Sequence, residues 1–420
     1  MKVKRTKIVI IPDNKRVILR AFEISGERTN KIAARVLNLS ERNVKKELKI
    51  ILKNFAGRHR DTKQFFLERY EQIKKYLNNY DQIKGDRRLL LGAYFTHEYS
   101  VEAAALFNPS IVWFPAQKGN TGKSKRFILS LRAVGEGHIS SIVFTSGIIN
   151  KNNIIELDKR SRYVTNPGKI NDNLSGNNCL YELDYPRDIP VSERIIFPHS
   201  PFESNGIEDA RFVEFYDDTG ERIYYATYTA YDGKAIHPQI LETKDFLHFK
   251  ISSINGSEVK NKGMALFPRK INDRYAMLSR QDNENIYLMY SDQLYLWNSK
   301  ELIIEPKYQW EFVQLGNCGS PIETDEGWLV ISHSVGALRQ YTIGAFLLDK
   351  NDPSKVIGRL NKPLLIPGKK EREGYVTNVV YSCGGIVNNG ELIIPYAVSD
   401  YSSSFAKVNL KELIGKLKSN

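Results

Sequence analysis

The sequence predicts a mostly β chain, organised as a five-bladed β-propeller behind an α-helical (α+β) N-terminal extension. Helical stripes are confined to the first hundred residues and the extreme C-terminus. Short strands bounded by Gly, Asn and Asp turns fill the rest. Four of those strands end alike, in "YTAYD", "LMYSD", "FLLD" and "YAVSD", at Asp232, Asp292, Asp349 and Asp400. The intervals of 60, 57 and 51 residues suit a repeat of about four strands. A large β-sandwich is the competing all-β arrangement.

Taken in order, "KIVIIP" and "RVILRAF" read as strands. In residues 41–56, Val44, Leu48, Ile51, Leu52 and Phe55 share one helical face, with Ser40 as its N-cap. Residues 62–77 repeat the pattern with Phe65, Phe66, Tyr70, Ile73, Tyr76 and Leu77, capped by Asp61 or Thr62. Beyond about residue 105 come "RFILSLRAV", "ISSIVFTS", "RIYYATYTAY", "YAMLSRQ", "NIYLMYSD", "GWLVISHSV", "TIGAFLLD" and "ELIIPYAVSD", and the chain closes on the helical "NLKELIGKLKS". The expected division is a basic extension over 1–100 and a β domain over 101–420.

Residues 1–90 carry 24 Lys and Arg against 10 Asp and Glu, and the remainder carries 37 against 38. Such a surplus raises nucleic acid as a partner. The charges are dispersed along helices and not interleaved with aromatic residues as a stacking platform requires, so a solvated face or a subunit-docking surface is expected and nucleic acid is not.

No apolar run approaches the roughly 20 residues of a membrane helix. The early "IVII" is too short for a signal-peptide core. The expected compartment is the cytoplasm, unless a leader has been removed. Cys179, Cys318 and Cys383 are far apart and lack CxxC spacing, which argues against a disulfide scaffold or structural zinc. No Walker or GxGxxG loop, GxSxG elbow or HExxH helix appears.

A propeller gathers residues distant in sequence at its channel. "SNGIEDARF" sets Glu208, Asp209 and Arg211 at a strand entrance. An acid in a partly apolar setting suits proton donation, and a nearby Arg keeps a second acid ionised. A structural Glu–Arg pair is the plainer alternative. "RAVGEGHISS" offers Arg132 and His138, the latter equally readable as a turn histidine. The segments that carry Lys262, Arg280, Glu323 with His333 and Arg339, and Tyr375 stand beside strands assigned to different putative repeats. Singly, each reads as a solvated or structural residue.

The ordered run "EAAALFNPSIV", "LSLRAVGEGHISSI", "GIEDARFV", "YTAYDG", "NKGMALFPRKI", "AMLSRQDNENIYLMYSD", "GNCGSPIETDEGWLVISH" and "EREGYVTNVVYSCGG" resembles glycoside hydrolase family 130 over residues 100–415. The resemblance implies a five-bladed propeller acting on β-mannosides, with short β-1,2-linked manno-oligosaccharides as the expected substrate. It implies Asp209 as the proton donor, in some members through a sugar hydroxyl, and inversion at the attacked carbon. It further suggests Asn108, Arg132, His138, Glu208, Arg211, Asp232, Lys262, Arg280, His333, Tyr375 and Asp400 as substrate- or phosphate-binding residues. The helical extension looks like one that makes homo-oligomer contacts in some members.

Two departures matter. Lys262 falls where an Arg is usual, and "GSPIET" puts Glu323 where the family has Lys. A carboxylate there repels phosphate and suits a general base for water. The expectation is therefore hydrolysis, with Asp209 as acid and Glu323 as base. The alternative is phosphorolysis, with inorganic phosphate as co-substrate and mannose 1-phosphate as product. No other cofactor or metal is expected. A non-catalytic carbohydrate-binding propeller is the reading of another class.

Overall fold

The computed structural model describes residues 1–24, 26–77, 82–115, 124–172 and 180–419. Cys179 lies outside them. The chain divides into two compact units. The larger comprises residues 1–12, 103–160 and 166–420, and the smaller 13–102 with 161–165.

The smaller unit holds four helices, Gly26–Leu37, Glu41–Phe55, Thr62–Ile73 and Asp86–Tyr94, and a two-stranded sheet, Val17–Ala21 with Thr96–Ser100. The Ser40 side chain accepts from the Asn43 amide, as its N-cap position predicts. Asp61 caps the next helix without a side-chain hydrogen bond. Val44, Tyr70, Leu90 and Leu91 form the centre of this unit's core. Arg16 and Glu102 pair at 2.8 Å, both almost wholly buried, and Arg16 also donates to the Ser161 and Tyr163 carbonyls.

The larger unit is mostly β. Five antiparallel sheets of four to six strands follow one another along the chain. The first is built on Ala105–Trp113, Ser124–Val134 and Ser140–Asn150, and the second on Ile207–Tyr216, Arg222–Tyr231, Ile236–Thr243 and His248–Ser253. The third runs Ala265–Leu266, Tyr275–Ser279, Ile286–Ser291 and Glu301–Ile304. The fourth is built on Gln314–Asn317, Gly327–Val335, Tyr341–Leu348 and Val356–Arg359. The fifth joins Val380–Tyr381, Glu391–Val398 and Ser402–Asn409 to the N-terminal Lys4–Arg5, with Lys4 opposite Lys407. Of the "KIVIIP" segment, only Ile10 makes a bridge, to Ser403.

Side chains alternate across each strand, so a strand between two layers is apolar on both faces. That accounts for the unbroken burial of "GWLVISHSV". Five hydrophobic clusters result, each joining two successive sheets. Phe144 meets Phe212 and Phe246 between the first and second, and Phe215 meets Met277 between the second and third. Leu278 meets Trp328 across the next junction, and Ile331 meets Ile394 across the fourth. Phe107 and Val134 of the first sheet meet Tyr381 and Ala397 of the fifth. The series of sheets thus closes on itself. Among the described residues, no helix is long and apolar enough to cross a membrane.

Candidate active site

Strand residues and connecting loops of all five sheets line a cavity of about 310 Å³ in the larger unit. The first sheet supplies Asn108 and Arg132, and the second Glu208 and Asp209. Lys262 and Arg280 come from the third, His333 and Arg339 from the fourth, and Tyr381 and Asp400 from the fifth.

Two inner strands are bent where they reach this cavity. The ladder slips between Glu208 and Arg211, and again between Phe107 and Ser110. Each slip holds a residue in the left-handed region, Asp209 at φ 52° and Asn108 at φ 48°. Asn and Asp tolerate that region better than other side chains, and a bulge re-aims the side chain it carries. Asn108 Nδ2 donates to Asp209 Oδ1 at 2.7 Å.

Arg211 anchors the bulge from beneath. Its guanidinium donates to the carbonyls of Asp209 and Cys318, both at 3.0 Å, and to the Tyr381 hydroxyl at 2.8 Å. It is fully buried and does not line the cavity. Burial pushes the Asp209 carboxyl up. Arg132, Arg211, the Asn108 hydrogen bond and Lys262 outweigh it and hold Asp209 below the usual carboxylate range.

Glu208 is clamped by Arg132 at 3.0 Å and Lys262 at 2.9 Å. Asp400 is different: burial, and then the nearby Asp209 charge, push it up to about 6.

Arg280 and His333 form no ion pair among the described residues. Arg280 is 6% exposed, and its Nε and Nη1 have no hydrogen-bond partner among the described residues. His333 is fully buried, with neither ring nitrogen in a well-formed hydrogen bond there. Burial and then the Arg280 and Arg211 charges hold its imidazole well below the usual range, against a weak contact to the Asn317 backbone. Two glycines make room for this pair. A Cβ on Gly316 would stand 2.4 Å from His333 Cε1 and 2.9 Å from Arg280 Cδ, and one on Gly263, at φ 92°, 2.6 Å from Arg280 Nε.

Thus Asn108, Arg132, Glu208, Asp209, Lys262, Arg280, His333 and Asp400 come together. His138 and Tyr375 do not line the cavity and bond each other, Tyr375 Oη to His138 Nδ1 at 3.0 Å. Asp232 also lies outside it, binding His237 Nε2 at 3.0 Å and the amides of Lys234 and Ala235 at 2.7 Å. Tyr381, Gln314 and Asn283 line the cavity unexpectedly. Tyr381 sits in an apolar strand, where its hydroxyl gives no sequence signal of facing a site.

The expectation that Glu323 stands opposite Asp209 is corrected. Glu323 lines a separate cavity with Phe212, Val213, Glu214 and Tyr216, three to seven residues farther along the strand that carries Asp209. At about 3.3 Å per residue those strand residues lie roughly 10–23 Å from Asp209. There Arg269 binds it through two hydrogen bonds of 3.0 and 2.9 Å, and Lys350 lies at 3.7 Å. The Arg269 bond, opposed by burial, holds its carboxyl below the usual range.

Comparison with known proteins fits this geometry. The profile of a family described as beta-1,4-mannooligosaccharide phosphorylase matches residues 187–419. The chain is 30% identical to the 1,2-beta-oligomannan phosphorylase of Thermoanaerobacter sp. (strain X514) over 276 residues, 64% of this chain and 91% of that one. It is likewise 30% identical to the beta-1,2-mannobiose phosphorylase of Listeria innocua serovar 6a over 230 residues, 53% of this chain and 63% of the relative. The solved complex of a Listeria innocua beta-1,2-mannobiose phosphorylase with beta-1,2-mannobiose superposes with a TM-score of 0.54 at 22% identity, covering 77% of this chain and 94% of that one. At that identity the superposition speaks for the fold alone. The chain belongs to glycoside hydrolase family 130 and is an enzyme of that family.

Proposed function

We propose that this enzyme is a phosphorylase of short β-1,2-linked manno-oligosaccharides, and that its five sheets are the blades of a five-bladed propeller around the active site. The blade reading is supported by the closed series of sheet-to-sheet cores and by the convergence of all five sheets on one cavity. Phosphorolysis in place of hydrolysis rests on one observation. Arg280 presents two buried nitrogen donors, Nε and Nη1, without a partner among the described residues, and the buried His333 ring has only a weak contact to the Asn317 backbone. Buried polar groups left in that condition are costly, and a phosphate dianion accepts from both. Lys262 and Arg339 line the same cavity and add charge.

In this reading, Asp209 gives its proton to the glycosidic oxygen, directly or through a sugar hydroxyl. A phosphate oxygen forms the new bond to the anomeric carbon from the opposite face as the old C–O bond breaks. The products are mannose 1-phosphate of inverted configuration and a chain one residue shorter. Phosphate needs no protein base, so the distance of Glu323 is no obstacle. The same dianion solves a second problem. Cations hold Asp209 below the usual carboxylate range, which disfavours an acid. Phosphate beside Arg280 and Arg339 cancels part of that field, so Asp209 retains its proton more readily when the co-substrate is bound.

Calorimetric titration with inorganic phosphate tests the anion site. Saturable binding by the parent, lost in Arg280→Gln, is expected. Equal binding by both proteins contradicts the assignment.

A further inference from the structure

A second cavity, of about 350 Å³, lies in the sheet that carries Asp209. Phe202, His237, Gln239, Ser253 and Asn255 line it, with apolar side chains beside them. Strand register fixes its position. Glu208 lies opposite Thr229, and Thr229 opposite Pro238, which lines this second cavity. Two inter-strand steps of about 4.8 Å put Pro238 about 10 Å from Glu208. Val259 also lines it, three residues before Lys262 of the central cavity.

The lining selects a class of ligand. It contains no Lys, Arg, Asp or Glu, so neither a phosphate nor a free cation is matched. It is too rich in amide, hydroxyl and imidazole groups for a purely apolar guest. Gln239 is 2% exposed, yet its Oε1 accepts no hydrogen bond among the described residues. A buried amide oxygen in that state calls for a donor. The Phe202 and His237 rings lie against each other, centroids 4.6 Å apart, and Asp232 fixes the imidazole through Nε2. Asn255 is tethered through Nδ2 to the Ser253 carbonyl at 3.3 Å. Fixed neutral hydrogen-bonding groups beside an aromatic ring suit a neutral polyhydroxylated ring.

We infer that this cavity is a second sugar subsite, holding a residue of the oligosaccharide beyond the two that flank the bond broken at Asp209. The inference rests on the reading of the central cavity as a β-mannoside site. It makes the enzyme selective for chains longer than the disaccharide. It also gives a role to the Asp232–His237 pair, which lies outside the central cavity.

The test compares β-1,2-mannobiose with β-1,2-mannotriose on the full chain. The parent is expected to show kcat/KM about tenfold higher for the trisaccharide, equivalent to about 1.4 kcal/mol. Asn255→Ala and Gln239→Leu are each expected to erase that preference. Both should keep mannobiose kcat/KM within about twofold of the parent, which also reports that they are folded. Gln239→Leu should not lower the melting temperature, since it removes an unsatisfied acceptor. Equal kcat/KM for the two sugars in the parent, or a preference that survives both substitutions, overturns the subsite. If neither sugar is turned over, the central reading fails. Calorimetry then decides the subsite: mannotriose binding lost in Asn255→Ala supports it, and absence of binding overturns it.

Discussion

Asn108 and Asp209 lie on inner strands of neighbouring sheets, each at a left-handed bulge, joined by a 2.7 Å hydrogen bond. The bond favours the ionised form of Asp209 and fixes its carboxyl toward the cavity. Asn108→Ala removes the donor and places a poorly suited residue at φ 48°. A fall of about tenfold in kcat/KM is expected, because the carboxyl is no longer held in line with the glycosidic oxygen. The free-enzyme ionisation of Asp209 should move up in the pH profile of kcat/KM. An unchanged profile would show that the bond is only structural.

The contact between Gly316 and His333 makes a second prediction. Gly316→Ala sets a Cβ 2.4 Å from the imidazole, between His333 and Arg280. Overpacking of this kind costs about 1–3 kcal/mol of stability. The sharper expectation is kinetic: KM for phosphate should rise far more than KM for the sugar. Equal increases would mean that Gly316 shapes the whole cavity and not the anion site.

Asp400 predicts a pH dependence of stability. Its pKa is raised to about 6 in the folded chain by burial and by Asp209. Between about pH 4 and 6 the folded protein therefore keeps a proton that the unfolded chain has released, and stability falls as pH rises through that window. Asp400→Asn removes this loss and suits the left-handed backbone at φ 48°. At pH 8 the variant should be about 1–3 kcal/mol more stable than the parent, and near pH 4 equal to it. Denaturant unfolding at the two pH values measures both. Equal stability at pH 8 contradicts a raised pKa.

In the smaller unit, the buried Arg16–Glu102 pair predicts a stability effect. Glu102→Gln leaves the Arg16 guanidinium without its carboxylate, at a cost of about 3–5 kcal/mol. Glu102 Oε2 also accepts from the Asp13 amide, so the loss should extend to the turn there. Hydrogen exchange of the Asp13 amide would reveal it. Unchanged protection would limit the effect to the ion pair.

Much of this was legible in the sequence. The strand patterns, the Ser40 cap and the grouping of Asp209 with Lys262, Arg280 and His333 follow from periodicity and from an ordered set of motifs. What was hidden is position along a strand. Asp209 and Glu323 both lie at the edge of an inner strand's motif, yet each lines a different cavity. A short motif does not encode which end of a strand it occupies. Arg211 was hidden for another reason. Charge suggests a cavity residue, but its three hydrogen bonds to groups of the second, fourth and fifth sheets hold it in the core. Those partners are more than a hundred residues away in two cases and invisible to local pattern.

The most direct measurement is consumption of β-1,2-mannobiose as inorganic phosphate is raised from zero, with mannose and mannose 1-phosphate quantified separately. Turnover should be negligible without phosphate and should saturate as phosphate is raised, with one mannose 1-phosphate formed for each bond broken. Asp209→Asn should lower that rate by at least about 10²–10⁴-fold. Release of free mannose alone, at a rate indifferent to phosphate, would contradict phosphorolysis.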